Sequence, residues 1–205
     1  MAKNKEHWYD GWFYDKFIAP NQDKLFSQIN NIIEPNSKVI DVGCGTGRLS
    51  FTLANKCNKI LGIDLSEKNI ERAILTLSKK PNSKISFIHS SLSEIISDGN
   101  EHFDYAVMTY VIHEVDESER DNLLEEMAQV ADKIIIGDYL PSPGNGFVNT
   151  INIIVEFLAG KEHYNNFKTY IRNGGINGII LKIGFKILKE LKNSPKTSHL
   201  ILIQK

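Results

Sequence analysis

Three glycines at alternate positions, Gly43, Gly45 and Gly47, constrain the chain more than any other feature. They sit inside Lys38–Asn55, KVIDVGCGTGRLSFTLAN. The short apolar run Val39–Val42 precedes them, and Leu49, Leu53 and Ala54 follow at helical spacing. This pattern predicts a strand, a tight turn and a helix. Glycine allows backbone angles that a side chain forbids and lets a ligand approach the main chain closely. The turn is therefore expected to hold something against the N-terminus of the following helix.

The same alternation continues along the chain. An amphipathic helix over Asp23–Ile33, capped by Asn21 or Asp23, precedes the first strand. After it come strands at Lys59–Asp64, Ile85–Ile88, Tyr105–Met108 and Lys133–Gly137. Helices at Glu67–Leu77, Leu92–Ile96 and Ser118–Ala131 separate them. Strand–helix repetition of this kind is the pattern of an α/β doubly wound, mostly parallel sheet. Two late strands, Phe185–Leu188 and Leu200–Ile203, lie close in sequence and predict an antiparallel hairpin at the sheet edge, for seven strands in all. Right-handed crossovers place the C-terminal strand ends on one rim, where such sheets bind ligands. Gly43–Gly47, Asp64, Ser90–Leu92, Thr109–His113 and Asp138–Leu140 all fall there.

Two segments stand outside the alternation. Residues 6–20, EHWYDGWFYDKFIAP, are crowded with aromatics and read as one or two short helices stopped before Pro20, either packed on the core or forming a lid. Residues 139–183 form an insertion containing the apolar helix Phe147–Leu158 and further helices at Tyr164–Arg172 and Ile176–Ile183. The Phe147–Leu158 face fits core burial, a lid, a dimer face or a membrane-surface contact. The 205 residues are read as one domain, with 1–20 as a cap and 139–183 as a cover over a substrate. A formal net charge of -1 gives no general nucleic-acid surface. Two cysteines, Cys44 and Cys57, make no disulfide framework and fit a reducing, cytoplasmic setting. No apolar signal core or run of transmembrane length is present, and no Cys/His spacing fits a metal.

Two acids decide what the rim would bind. Asp64 ends the second strand, where dinucleotide folds place the acid that receives ribose hydroxyls. Asp41, however, lies two residues before Gly43. An acid there disfavours a pyrophosphate and favours an ammonium group. A phosphate-free ligand carrying a ribose and an amino acid fits both, and S-adenosylmethionine has those parts.

From Tyr14 to Gln204 the sequence resembles the class I S-adenosylmethionine-dependent methyltransferases, in particular the small-molecule branch with ubiquinone- and menaquinone-type enzymes. VIDVGCGTG is similar to the family's first motif, GIDLS to its second and FDYAVMTYVIHEV to its fourth-strand motif, while Gly184–Phe185 resembles the pair before its sixth strand. The resemblance implies a Rossmann-like fold with an antiparallel seventh strand. It places Asp41 near the amino group of S-adenosylmethionine and Gly43, Cys44 and Gly45 along its methionine portion. Asp64 would hold the ribose, Leu65 would lie beside the adenine, and Thr109 would end the fourth strand near the methionine part. At Ser91 the family usually has an aspartate for the adenine amino group. Here Ser91 would accept a hydrogen bond, and the Leu92 N–H would meet a ring nitrogen.

On the acceptor side, His113 follows the fourth strand and is a candidate general base. Asp138, with Tyr139, ends the fifth strand and is placed to touch substrate. Tyr14 resembles the family's lid tyrosine. Methyl transfer to a small apolar or aromatic acceptor is the expected activity, by a monomer or homodimer. RNA or protein methylation, and a non-catalytic S-adenosylmethionine-binding scaffold, are the alternatives, with an NAD-dependent oxidoreductase as a lesser rival. TYVI at Thr109–Ile112 is not the NPPY-like sequence of amino-modifying DNA enzymes, which removes the support for a flipped-base site.

Overall fold

The computed structural model describes residues 19–99, 101–141, 161–193 and 198–205. In chain order the elements are α1 (Ala19–Ile32), β1 (Lys38–Val42), α2 (Arg48–Leu53), β2 (Lys59–Asp64), α3 (Glu67–Lys79), β3 (Ile85–His89) and α4 (Leu92–Asp98). They continue through β4 (Phe103–Thr109), α5 (Arg120–Val130), β5 (Ala131–Tyr139), α6 (Lys161–Arg172), α7 (Gly175–Ile183), β6 (Lys186–Lys192) and β7 (Ser198–Gln204). The seven strands form one sheet in the order β3-β2-β1-β4-β5-β7-β6. Strands β1 to β5 are parallel, and β7 runs antiparallel to both β5 and β6. The doubly wound sheet and its antiparallel last strand are as the sequence pattern and the resemblance led us to expect.

Both sheet faces are covered, which explains the near-continuous apolar strands. One face packs Ile40, Ala106, Met108, Ile134, Ile136 and Ile201 against side chains of α4, α5 and α7. The other packs Val39, Ile60, Val107, Ile135 and Leu200 against α1, α2 and α3. Each isoleucine side chain buried this fully contributes about 1.5–3 kcal/mol. The strands that carry the rim are therefore held rigidly from both sides.

Three of the departures from the sequence reading have a clear physical reason. Helix α1 begins at Ala19 and includes Pro20, where a break was expected. Proline is tolerated in a first helical turn, because its missing N–H has no intrahelical partner there. Strand β5 begins at Ala131, directly after α5 with no loop between them. Strand β6 runs on to Lys192, although its KILKELK sequence is largely exposed. Its pairing with β7 supplies the order that its polar side chains do not signal, with a register shift between Ile187 and Lys189.

Candidate functional site

Strand β1 pairs with β2 on one side and with β4 on the other. The direction of sheet growth reverses there, and such switch points open a crevice beyond the strand ends. The glycine bend fills this position. Gly43, Gly45 and Gly47 have φ of 70°, 55° and 82°, the left-handed region that side chains rarely adopt. The N–H groups of Gly43 and Cys44 both donate to Ile63 O, at 2.8 and 2.9 Å. Gly45 N donates to Asp64 Oδ2 and Ser66 N donates to Asp64 Oδ1, each at 2.8 Å. The bend is thereby tied to the end of β2. Each carboxylate oxygen retains a further acceptor position, so Asp64 still has room for two hydroxyl donors.

The two sides of the bend differ in space. A Cβ on Gly43 would lie 2.5 Å from Val111 Cγ2, so that side is closed by packing. A Cβ on Gly45 would meet nothing within 4 Å. The main chain is therefore open to a ligand at Gly45. Leu65, 63% exposed, offers an apolar surface next to Asp64.

Asp41 lies beneath the bend, 1% exposed, and accepts a 2.7 Å hydrogen bond from Ser50 Oγ. Burial pushes its carboxyl up to about 7, opposed by the Ser50 hydrogen bond and reinforced by the charge of Asp64. A cation beside it would restore the ionised form. Cys44 is buried, and burial together with Asp41 and Asp64 drives its thiol upward, so it remains a neutral lining residue. Ser91 caps α4: its hydroxyl accepts from Glu94 N at 3.3 Å, and Glu94 Oε2 accepts from Ser91 N at 2.8 Å. Leu92 is buried in the core at the start of that helix.

On the other side of the switch point, Thr109 ends β4 in register with Gly137. Tyr110 then takes φ 55°, an uncommon conformation for a bulky residue, fixed by its N–H donating to Gly137 O at 2.8 Å. Three residues on, His113 is 2% exposed and Asp138 0%. His113 Nδ1 and Asp138 Oδ1 are 2.7 Å apart. Asp138 also accepts from Tyr139 N at 2.7 Å and from His113 N at 3.4 Å. The two residues singled out separately in the sequence thus form one buried pair. The contact holds the His113 ring through its Nδ1 edge.

Aromatic rings surround this histidine. Tyr139, Phe167 and Tyr170 lie with ring centroids 4.8, 6.0 and 6.3 Å from it. Tyr110 stands 5.4 Å from Tyr139, edge to face. Glu114 Oε1 is 3.8 Å from His113 Nε2, and its Oε2 is 3.9 Å from His163 Nδ1. Arg120, 2% exposed, holds the loop and α6 together by donating to Val115 O, Asn166 O and Thr169 Oγ1 at 3.0, 2.7 and 3.1 Å.

Most of the sequence-derived residues gather in two groups: Asp41, Gly43, Cys44, Gly45, Asp64 and Leu65 at β1 and β2, and Thr109, His113 and Asp138 at β4 and β5; Ser91 and Leu92 stand apart at the start of α4. Tyr14, the whole of the helix expected over 147–158 and residues 1–18 of the 1–20 cap lie outside the described residues. Ser50, Glu114, Arg120, Phe167 and Tyr170 were not singled out. Ser50 had a local signal, a hydroxyl one turn into the helix after the glycines; the others meet only through tertiary packing. Arg172 is exposed and 3.9 Å from Glu117, in keeping with a solvated or paired arginine. A separate groove of about 540 Å³ lies between α1, α2 and the end of α3, bordered by none of the site residues. Among the described residues no group of His, Cys, Asp and Glu is arranged to hold a metal, and no helix is long and apolar enough to cross a membrane.

Comparison with known proteins agrees with this geometry. A family model described as a methyltransferase domain matches residues 39–133. A magnesium protoporphyrin IX methyltransferase from Synechocystis PCC 6803, solved with bound SAH, superposes with a TM-score of 0.68 at 20% identity, covering 96% of this chain and 90% of that one. The chain has the class I S-adenosylmethionine-dependent methyltransferase fold. Relatives matched by sequence differ in what their names say they modify. The ubiquinone biosynthesis O-methyltransferase of Rickettsia canadensis is 25% identical over 182 residues, covering 83% of this chain and 70% of the relative. The tRNA/tmRNA (uracil-C(5))-methyltransferase of Campylobacter lari is 33% identical over 98 residues, but the match spans only 28% of that relative's length.

Proposed function

We propose that this methyltransferase-fold enzyme binds S-adenosylmethionine at the β1–β2 side of the crevice and methylates a small organic acceptor at the β4–β5 side. One observation carries the reading: the glycine bend is fastened to Asp64 while the buried carboxyl of Asp41 lies beneath it. The residues fit the parts of the cofactor. Asp41 meets the ammonium, the open main chain at Gly45 with Gly43 and Cys44 borders the methionine portion, and Asp64 accepts from the ribose hydroxyls. Leu65 packs on the adenine, while Ser91, Leu92 and Thr109 complete the border. When bound, the cofactor supplies an electrophilic methyl group on a sulfonium.

The chain's own residues orient the acceptor and remove its proton. Asp138 holds the His113 ring through Nδ1, and the opposite nitrogen, Nε2, is proposed as the base. The rings of Tyr139 and Phe167 exclude water beside it. Alignment of the two reactants supplies the larger share of the acceleration. Tyr14 and the 1–20 segment are proposed as a cap. The 139–183 segment is proposed as a cover, and its α6 already borders His113 through Phe167 and Tyr170. The enzyme is proposed to work in the cytoplasm, as a monomer or homodimer.

Calorimetric titration with S-adenosylmethionine, S-adenosylhomocysteine and NAD tests the cofactor. Transfer of labelled methyl to metabolite, RNA and protein fractions tests the acceptor class. Binding of the first two ligands with label in the metabolite fraction is expected. Preferential NAD binding would overturn the cofactor assignment, and label in RNA or protein would replace the acceptor.

A further inference from the structure

We infer that Glu190 and His199 are positioning residues for the His113–Asp138 pair, an inference that rests on the proposed role of that pair in removing the acceptor's proton. Glu190 keeps the single proton of His199 on Nδ1, so that no second imidazole N–H reaches Asp138 and its carboxyl is reserved for His113.

The strand register carries the argument. Strand β7 lies between β5 and β6. His199 on β7 stands directly opposite Asp138 on β5 and opposite Lys192 on β6. Opposed residues project from one face, with Cβ atoms about 4.5–5.5 Å apart. Along β5 and β7 that face carries Ile134, Ile136, Ile201 and Ile203, in the same core as Ile176 and Ile180 of α7. His199 and Asp138 are both fully buried. Glu190, His199, Asp138 and His113 thus form a row of alternating carboxyls and imidazoles from the β6 edge to the acceptor side.

The two ends of the row are joined and its middle is not. His113 Nδ1 lies 2.7 Å from Asp138 Oδ1, and His199 Nδ1 lies 3.1 Å from Glu190 Oε1. His199 Nε2 is buried and has no hydrogen-bond partner among the described residues. An imidazole with Nδ1 turned toward β6 turns its other edge, which carries Nε2, toward β5 and Asp138. A proton on Nε2 would make it a donor beside that carboxyl; without one it has nothing to offer an acceptor.

Glu190 has the means to fix this state. Burial opposes its ionisation, but hydrogen bonds with His199 and Asn177 and the charge of Lys192, 3.7 Å away, outweigh burial and hold its carboxyl below the ordinary value. An ionised carboxylate only accepts, which draws the His199 proton to Nδ1. Burial lowers the pKa of His199 against the attraction of Glu190 and Asp138, so a second proton is disfavoured. The charged groups facing His199 are Glu190 and Lys192 from β6 and Asp138 from β5, while α7 contributes the neutral Asn177, which donates to Glu190 at 3.4 Å. Removing Glu190, or adding a second proton to His199 at low pH, puts a donor on Asp138 that competes with His113.

Long-range proton–nitrogen NMR of the imidazoles, recorded on the full chain without cofactor, reads both the His199 tautomer and the His113 titration. In the unmodified protein His199 is expected to carry its proton on Nδ1. Glu190→Ala is expected to move that proton to Nε2 and to lower the His113 midpoint by at least about 0.5 pH unit, the scale of one hydrogen bond to a charged group. Adding His199→Phe should remove the shift. Glu114, Arg120 and Tyr170, which also border the pair, are common to every variant. Glu190→Leu and His199→Leu serve where the first variants misfold. An Nε2-protonated His199 in the unmodified protein, an unmoved His113 midpoint in the Glu190 variants, or a shift that persists without His199 would overturn the proposal. Failure to bind S-adenosylmethionine in a protein that shows this coupling would instead overturn the underlying methyl-transfer reading.

Discussion

Asp41 ties the stability of the empty protein to pH in a direction opposite to that of most carboxylates. Its carboxyl rises from 3.8 to about 7 because burial penalises the charge. The folded state therefore holds a proton that the unfolded state has released, and stability falls as pH rises through this window. At about 1.36 kcal/mol per pH unit, the full penalty is of order 4 kcal/mol, of which roughly 2–3 kcal/mol develops between pH 5 and 8. His199 acts in the other sense. Burial lowers its pKa, so its contribution grows as pH rises toward its ordinary value. The lowered carboxyls of Glu34, Glu94 and Glu190 exert their effect at lower pH. Urea unfolding of the wild type and of Asp41→Asn across pH 5–8 isolates the Asp41 contribution, since the other groups are common to both. The difference between the two should shift by roughly 2–3 kcal/mol in favour of the variant as pH rises. The same linkage predicts that S-adenosylmethionine binding near pH 7 releases about half a proton, as its ammonium ionises the carboxyl. Titrations in buffers of different ionisation enthalpy measure that release, and Asp41→Asn should abolish it. A pH-independent difference in unfolding, or identical proton release by the variant, would refute the reasoning.

Three further outcomes are expected. Asp64→Ala should weaken S-adenosylmethionine binding by about 1–3 kcal/mol, because ribose hydroxyls and the Gly45 N–H lose their acceptor; unchanged affinity by calorimetry would count against that role. Gly43→Ala should lower stability by about 1–3 kcal/mol through its left-handed backbone and its clash with Val111, and adding Val111→Ala should recover only the clash; thermal and urea unfolding of both variants check this. Asp138→Asn should lower kcat about 10²–10⁴-fold, with cofactor affinity unchanged, by releasing the His113 tautomer; a pH–rate profile that does not move would argue for a purely structural pair.

The fold was legible because its signals are local. Alternating apolar strands and amphipathic helices recur from Val39 to Gly137, and glycines or acids stand where the strands end. Asp41, Gly45 and Asp64 could be grouped from sequence, since a strand–turn–helix unit fixes where its loop lies. Pro20 was misjudged because a proline reads as a stop unless the helix start is known. The polar strand β6 could not be traced to Lys192, since its order comes from β7. The acceptor side was only half visible. His113 and Asp138 are 25 residues apart, and parallel pairing of β4 with β5 brings them together. Arg120 reads as a surface residue from its neighbours, yet α6 buries it against the Asn166 carbonyl 46 residues away.

Because β1 is paired on both edges, the crevice has a seam down its middle. On the proposed assignment, the residues bordering the nucleoside come mainly from the β1–β3 flank, with Thr109 at the seam, and those facing the acceptor from the β4–β5 flank. If that assignment holds, selection for a new substrate could rework the 110–193 flank while the donor pocket stays untouched, and a chimera exchanging only that flank would test it.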